Sequence, residues 1–590
     1  MDNRIILEHV TFTYLHAPQP ALQDIDLEIE EGKVTALVGQ VGAGKSTLLK
    51  TLNGLIPAII PGKLEGKIRV AGQEVQGKDP AFMAQFINLV FDDPVLQIVQ
   101  LTVEEDVAFG PANLNLPREE VWQRVSSAIE RVALKGFEKR NPRTLSGGEQ
   151  QLLALAGILA MRPRIIVLDE PIAMLDPIGK EMVLRALVEL KEKQKATILI
   201  SESGTDMEAI CTFADHMILM DQGRILTQGK PQELLARRAI LEKSRIKVPQ
   251  VVRVAWELGE NGVGKTVPVT LESARQWLAG LLDTSSARAN RLEPIRRSDS
   301  SLPSSPMGPA PVPAIEVRNL HHVFPTDPPV HALKGIHLTI EKGDFVALLG
   351  QNGSGKTTLA FHLVGAEKPT NREATIRVEG LDVVRAPLSQ TVRRINYLFQ
   401  NPANQLFCQT FGQEVTFGPQ ALGLSPSEAK ERGRAALRQV GLEPFWDYYT
   451  LSVLRSTETL LSLASVLAMD PQILIADEPT GGLDHATGER VMEILLELNR
   501  RGRTILVITH DMELAAKYAR HIVVLRQGEI WMEGTPREVF GQPDRLAETR
   551  LSPPQVTRLG QSLKDYGFPP DILNTEEFVA FSRSALSARR

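Results

Sequence analysis

Val38-Gly39-Gln40-Val41-Gly42-Ala43-Gly44-Lys45-Ser46-Thr47 decides the fold, because it returns as Leu349-Gly350-Gln351-Asn352-Gly353-Ser354-Gly355-Lys356-Thr357-Thr358. Each copy follows an apolar, β-prone run, Val34-Thr35-Ala36-Leu37-Val38 in one and Phe345-Val346-Ala347-Leu348-Leu349 in the other. Behind the loops, residues 46–52 and 357–363 read as helix. Buried strand, glycine loop and helix in succession predict an α/β architecture. Two more pairs recur in the same order. Asp106-Val107-Ala108-Phe109-Gly110-Pro111 matches Glu414-Val415-Thr416-Phe417-Gly418-Pro419, and Val167-Leu168-Asp169-Glu170-Pro171 matches Ile475-Ala476-Asp477-Glu478-Pro479. Lys45 and Lys356 lie 311 residues apart, Asp169 and Asp477 308 apart. A period this long with so little slippage means a duplicated domain, not a solenoid.

The glycine loop has a definite chemistry. Backbone N–H groups cradle phosphates, a lysine meets the outer phosphates, and a hydroxyl reaches Mg²⁺. The candidate nucleotide-binding residues are Gly39, Gly42, Gly44, Lys45, Ser46 and Thr47, and Gly350, Gly353, Gly355, Lys356, Thr357 and Thr358. Gly259-Glu260-Asn261-Gly262-Val263-Gly264-Lys265-Thr266 fits the same pattern, but Val267-Pro268-Val269 follows it and excludes a helix start there, so it reads as a turn. The genuine loops are each accompanied by an apolar strand ending in Asp-Glu. Asp169 and Asp477 are placed to hold Mg²⁺ with Ser46 and Thr357, and Glu170 and Glu478 to polarise an attacking water.

Leu145-Ser146-Gly147-Gly148-Glu149-Gln150-Gln151 lies between these motifs in the first half, a second anion-receiving helix start without a lysine. Together, the three motifs resemble the nucleotide-binding domains of ABC ATPases, over residues 5–235 and 314–545. The resemblance implies two P-loop NTPase domains, each with a helical subdomain, binding ATP and Mg²⁺. It also implies head-to-tail pairing within the chain, each ATP lying between one domain's P-loop and the other's Ser146, Gly147, Gly148 and Glu149 or their counterpart.

The halves then differ in a patterned way. Phe399-Gln400-Asn401-Pro402 carries the glutamine that the family uses to sense Mg²⁺ and water, where the first half has Phe91-Asp92-Asp93-Pro94. Thr509-His510-Asp511 supplies a histidine resembling the family's γ-phosphate contact, and no histidine lies between Asp169 and Asp215. Conversely, the second half reads Leu451-Ser452-Val453-Leu454-Arg455-Ser456-Thr457-Glu458 in place of the serine-glycine motif. Val453 and Leu454 replace the glycines in one alignment, Arg455 and Ser456 in the other. Paired head to tail, these losses fall into one site, leaving the other complete with Lys356, Thr357, Gln400, Asp477, Glu478 and His510. Tyr14 and Phe324 stand where the family stacks adenine.

The chain of 590 residues carries 66 basic and 71 acidic side chains, which gives no basic footprint for nucleic acid. Two cysteines exclude a disulfide scaffold and fit a reducing compartment. No apolar run reaches bilayer length, and the first residues lack a signal-peptide core. The expected organisation is one nucleotide-binding domain over residues 1–240, an accessory segment over 241–283, a Ser/Pro-rich tether over 284–313, a second domain over 314–545 and a second accessory segment over 546–590. Val248-Pro249-Gln250-Val251-Val252-Arg253 and Pro553-Pro554-Gln555-Val556-Thr557-Arg558 echo each other in the accessory segments, ahead of helix-like stretches near 271–282 and 575–588.

The segment from Gln97 to Leu114 and its twin from Gln405 to Pro419, with Leu159-Ala160-Met161 and Leu467-Ala468-Met469, are similar to those of energy-coupling factor (ECF) transporter ATPases, including cobalt-type ones. That similarity implies a cytoplasmic chain bound to the inner face of the membrane. Its partners would be a membrane T component and a separate substrate-binding membrane subunit, importing a vitamin, vitamin precursor or metal ion. Glu104, Glu105, Asp106 and Glu414 would face arginines of the coupling helices. A soluble tandem ATPase acting on ribosomes or another non-transport target is the alternative, and a ribosomal one would need a basic helical arm where residues 284–313 are Ser/Pro-rich. A pair of sugar-importer ATPase domains is a third class, against which the Asp-Val-Ala-Phe-Gly-Pro segment speaks.

Overall fold

A computed structural model describes residues 3–172, 175, 177–204, 207–259, 266–284, 313–326, 328–450 and 453–587. Residues 285–312 of the tether, the core of the third glycine match and Leu451-Ser452 fall outside these residues. The chain divides into two compact units, residues 1–274 and 275–590.

In the first unit, the fully buried run Val34–Val38 forms the middle of a six-stranded sheet. Thr197–Glu202 and His216–Asp221 flank it in parallel, Ile165–Leu168 and Ile87–Val90 extend it, and Arg224–Gly229 closes the far edge antiparallel. Strands apolar along their whole length belong in a parallel sheet covered on both faces. Ile5–Tyr14, Leu22–Ile29 and Gly62–Val70 alternate buried and exposed positions and form a separate antiparallel sheet. Helices Val103–Asn113, Arg118–Arg131 and Gly147–Met161 pack together as a helical layer.

The second unit repeats this plan. Phe345–Gly350 is central, between Thr504–Ile508 and His521–Arg526, with Ile473–Asp477 and Ile395–Leu398 beyond. Ile315–Phe324 and Val330–Ile340 begin the antiparallel sheet, and Phe411–Ala421, Pro426–Val440 and Arg455–Ala468 form the helical layer. The stretches expected to be helical near 271–282 and 575–588 are the helices Leu271–Thr284 and Thr575–Ser587, and two further helices, Gln250–Leu258 and Gln555–Ser562, begin within the echoed Pro-Gln-Val segments.

Strand register aligns the halves without reference to motif similarity. Val34 pairs with Ile198 as Phe345 pairs with Ile505, so Ser203 occupies the place of His510. The helices after the serine-glycine motif begin at Gly147 and Arg455, behind Ser146 and Leu454. Of the two alignments open in sequence, the fold therefore selects the one that replaces Gly147 and Gly148 by Arg455 and Ser456.

Candidate nucleotide sites

The expected helices begin at the two lysines, Lys45–Leu52 and Lys356–Leu363. Gly44 and Gly355 sit ahead of them with φ of 99° and 103°, and a Cβ there would come within 2.7 Å of Ala21 O or 2.6 Å of Ala332 O. Only glycine combines that backbone with that approach. Gly42 and Gly353 have nothing within 4 Å of a built Cβ, so the loop is open where a phosphate would enter. Lys45 Nζ donates to Gly39 O and Gln40 O at 2.7 and 3.1 Å. Lys356 Nζ donates to Gly350 O and Gln351 O at 2.7 and 2.8 Å.

In the second unit, the expected site residues converge. Thr357 Oγ1 donates to Asp477 Oδ2 at 3.0 Å, and Glu478 Oε1 lies 2.8 Å from His510 Nδ1. Tyr397 also donates its hydroxyl to Asp477 Oδ2. Burial pushes the Asp477 carboxyl above its ordinary range, and the Tyr397 and Thr357 hydroxyls oppose the shift. Glu478 has φ of 45°, a left-handed conformation that few non-glycine residues adopt. Gln400 stands apart, exposed and without a hydrogen bond to Asp477 or Glu478.

The first unit builds the same place from different groups. Asp169 accepts from Ser201 Oγ at 2.6 Å, while its Oδ2 is buried without a hydrogen-bond partner. Burial raises the Asp169 carboxyl, opposed by the Ser201 and Ser46 hydroxyls. Such an oxygen beside a P-loop hydroxyl fits a hard divalent cation, so Ser46 and Asp169, like Thr357 and Asp477, suit Mg²⁺. Glu170 (φ 47°) accepts from Ser203 N and Ser203 Oγ at 3.1 and 3.2 Å, and its Oε1 lies 3.3 Å from Lys45 Nζ. Burial raises its carboxyl as well, with Lys45 the largest opposing influence. Asp92 is exposed, and its charge adds to the upward shift of Asp169.

Ser146 caps its helix reciprocally with Glu149: Glu149 N donates to Ser146 Oγ, and Ser146 N donates to Glu149 Oε2 at 2.7 Å. A Cβ on Gly147 would meet nothing within 4 Å, leaving that helix start open. Leu454 offers no side-chain cap, and the Arg455 side chain lies over Gly482, 3.0 Å from where a Cβ would stand. Tyr14 is tied to the P-loop helix by a 2.8 Å hydrogen bond between its hydroxyl and Thr47 Oγ1. Phe324 instead packs edge-on against His322, which bonds to His362 at 3.0 Å.

The acids of the Asp-Val-Ala-Phe-Gly-Pro segment are not free to meet a partner as expected. Glu414 is 4% exposed and accepts from Phe407 N and Cys408 N at 3.1 and 2.9 Å. Asp106 accepts from Val99 N and Gln100 N in the same way, and Glu104 pairs with Lys139. These carboxylates satisfy backbone donors of the preceding loop, which pure sequence spacing did not reveal. Of the four, Glu105 alone is exposed.

Sequence reasoning also missed Tyr397, Ser201 and Ser203. Their signal is positional: each stands on or just beyond a strand beside the Asp-Glu strand, legible only once strand order is known.

Two P-loop cassettes of this kind define an ATPase. The ABC transporter family model matches residues 22–173 and 333–481, and the chain belongs to that family. A relative from Methanosarcina acetivorans is 36% identical over 586 residues, covering 98% of this chain and 94% of its own length. Another, from Caldanaerobacter subterraneus subsp. tengcongensis, is 36% identical over 584 residues and 99% of both chains. The names of both describe an ABC transporter ATP-binding protein. The solved structure of cbiO1 from Clostridium perfringens, described as part of the ABC transporter complex cbiONQ, is 30% identical; it covers 43% of this chain and 99% of its own, with a TM-score of 0.37. ATP, with Mg²⁺, is the nucleotide that such cassettes hydrolyse.

Proposed function

We propose that this chain is the ATP-hydrolysing, energy-coupling subunit of an ECF-type importer for a micronutrient, with hydrolysis concentrated at the second cassette. The Glu478–His510 contact of 2.8 Å carries the hydrolytic part of this reading. His510 orients the Glu478 carboxylate, which takes a proton from the attacking water. Thr357 and Asp477 would hold Mg²⁺, which would neutralise charge on the phosphates. Lys356 leaves its two carbonyls for the outer phosphates, and Phe324 stacks on adenine. In the first cassette, Glu170 is held by Ser203 and by Lys45 itself, an arrangement suited to retaining nucleotide rather than turning it over.

Coupling to a membrane partner is supported by an apolar surface in each cassette. Val99, Leu101 and Phe109 in the first, and Phe407 and Phe417 in the second, are exposed around the Asp-Val-Ala-Phe-type helix. Phe407 and Phe417 pack edge to face at 4.8 Å while remaining largely exposed. Exposed apolar residues gathered in this way mark an interaction site. No helix among the described residues is long and apolar enough to cross a membrane, so the spanning part belongs to the partner. The acids act one step back, by shaping the loop that presents Phe407 and Leu101. Purification of the tagged chain from detergent-solubilised membranes tests the proposal. Co-isolation of membrane subunits is expected; recovery with ribosomes instead would favour a soluble tandem ATPase.

A further inference from the structure

The chain beyond the second cassette comes back to that cassette's own P-loop. Gln351 follows Gly350 in the loop, and its side-chain Nε2 donates to the backbone carbonyl of Thr549 at 2.5 Å. Its own carbonyl accepts from Lys356 Nζ at 2.8 Å. One residue thus touches both the accessory segment and the phosphate-binding lysine. Thr549 is firmly seated: it is buried, and its Oγ1 donates to Leu546 O at 2.6 Å. Leu546 and Leu551 share an apolar cluster with Leu349, the residue just ahead of the loop. The loop has little slack on its other side, since a Cβ on Gly350 would come within 2.6 Å of Leu525 O.

The first cassette lacks this connection. Ser244 matches Thr549 in its helix-end hydrogen bond, donating to Ile240 O at 2.8 Å, yet Gln40 makes no side-chain hydrogen bond among the described residues. There the following residues press elsewhere, with Ile246 Cγ2 and Lys247 N each 3.3 Å from a Cβ built on Gly204, next to Ser203.

We propose that Gln351 is a positioning residue through which the C-terminal accessory segment sets the P-loop of the second cassette, making that segment a regulatory handle on its ATP affinity. The inference rests on the reading of this cassette as the hydrolytic one. Moving the Thr549 carbonyl pulls on the Gln351 side chain. The Gln351 and Gly350 carbonyls that hold Lys356 move with it. A handle of this kind changes how nucleotide is bound without altering the chemical step, so it acts on KM rather than kcat.

The test uses the full chain with Gln351→Met, which removes the donor at similar size, and Gln351→Lys, which restores one. Gln351→Met is expected to raise the KM for ATP about fivefold, the effect of one lost hydrogen bond, with kcat within about twofold and an unchanged Tm. Gln351→Lys is expected to recover most of the loss. In hydrogen exchange, ATP with Mg²⁺ should alter protection of residues 549–551 in the wild type and in Gln351→Lys, but not in Gln351→Met. An unchanged KM in Gln351→Met, a loss confined to kcat, or no rescue by lysine overturns the proposal. Glu478→Gln provides the separate check: full turnover by that variant would refute the hydrolytic reading itself, whatever Gln351 does.

Discussion

The two cassettes share strand order and register but hold their Asp-Glu pairs with different partners. In the second, His510 stands against Glu478 and Tyr397 against Asp477. In the first, Ser203 and Lys45 engage Glu170, and Ser201 takes Asp169. The backbone needed to present the acids is the same in both, down to the left-handed glutamates. The fold therefore keeps the backbone that presents the acids while changing the side chains that hold them. On the proposed reading, the neighbour of each glutamate, His510 in one cassette and Ser203 in the other, sets its role in turnover.

The comparison is broken most directly at the glutamates. Glu478→Gln is expected to cut ATP turnover at least about 100-fold, the usual contribution of a positioned general base, while Glu170→Gln leaves most of it. Equal losses in steady-state assays would put both cassettes on the same footing. A second contrast concerns the acids near the exposed aromatics. Glu414→Lys buries a charge that can no longer accept its two backbone N–H groups and should cost about 3 kcal/mol or more, seen as lowered Tm or yield. Glu105→Lys, on the surface, should stay within about 0.5 kcal/mol. Similar behaviour of the two would mean that Glu414 does not hold the loop.

Smaller effects sharpen the picture. His510→Ala should slow turnover about 10- to 100-fold, and Ser203→Ala should change it less than about twofold. The converse, a large loss from Ser203→Ala, would make the first cassette the active one. Tyr397→Phe removes a donor to the Asp477 carboxylate. Burial already holds that carboxyl above its ordinary range, and the Tyr397 hydroxyl opposes the shift. Its removal raises the carboxyl further. Because the ionised form is the one that binds the cation, the acid limb of the pH–rate profile should move to higher pH. Ser201→Ala should leave that limb in place. The smallest expected effect is Tyr14→Phe, which loses the bond to Thr47 and should weaken nucleotide retention at the first cassette about fivefold in an equilibrium binding assay.

Much of this was legible from local pattern. Runs such as Val34–Val38 and Phe345–Gly350 are buried along their whole length, and the glycine loops start helices at the expected lysines. Those features depend on neighbours within a few residues, which sequence spacing records directly. The partners of the acids were not legible. Ser201 and Asp169 are 32 residues apart and Tyr397 and Asp477 80 apart, and meet only because their strands are adjacent in the sheet. Glu414 looked like a helix-end acid available to a partner, since its turn back onto Phe407 N and Cys408 N depends on loop geometry that no periodicity encodes.

The sequence by itself determined the duplication, the α/β class, the two P-loops and the asymmetry of motifs, because each is written in contiguous residues with local backbone demands. Tertiary structure alone decided which residue replaces His510, which of the two alignments applies at Arg455 and Ser456, and that Gln351 reaches Thr549 across 198 positions of chain. The physical reason is common to all three. Strand register and long-range hydrogen bonds are set by packing of a whole sheet and its covering layers, and a short motif contains no information about what that packing brings beside it.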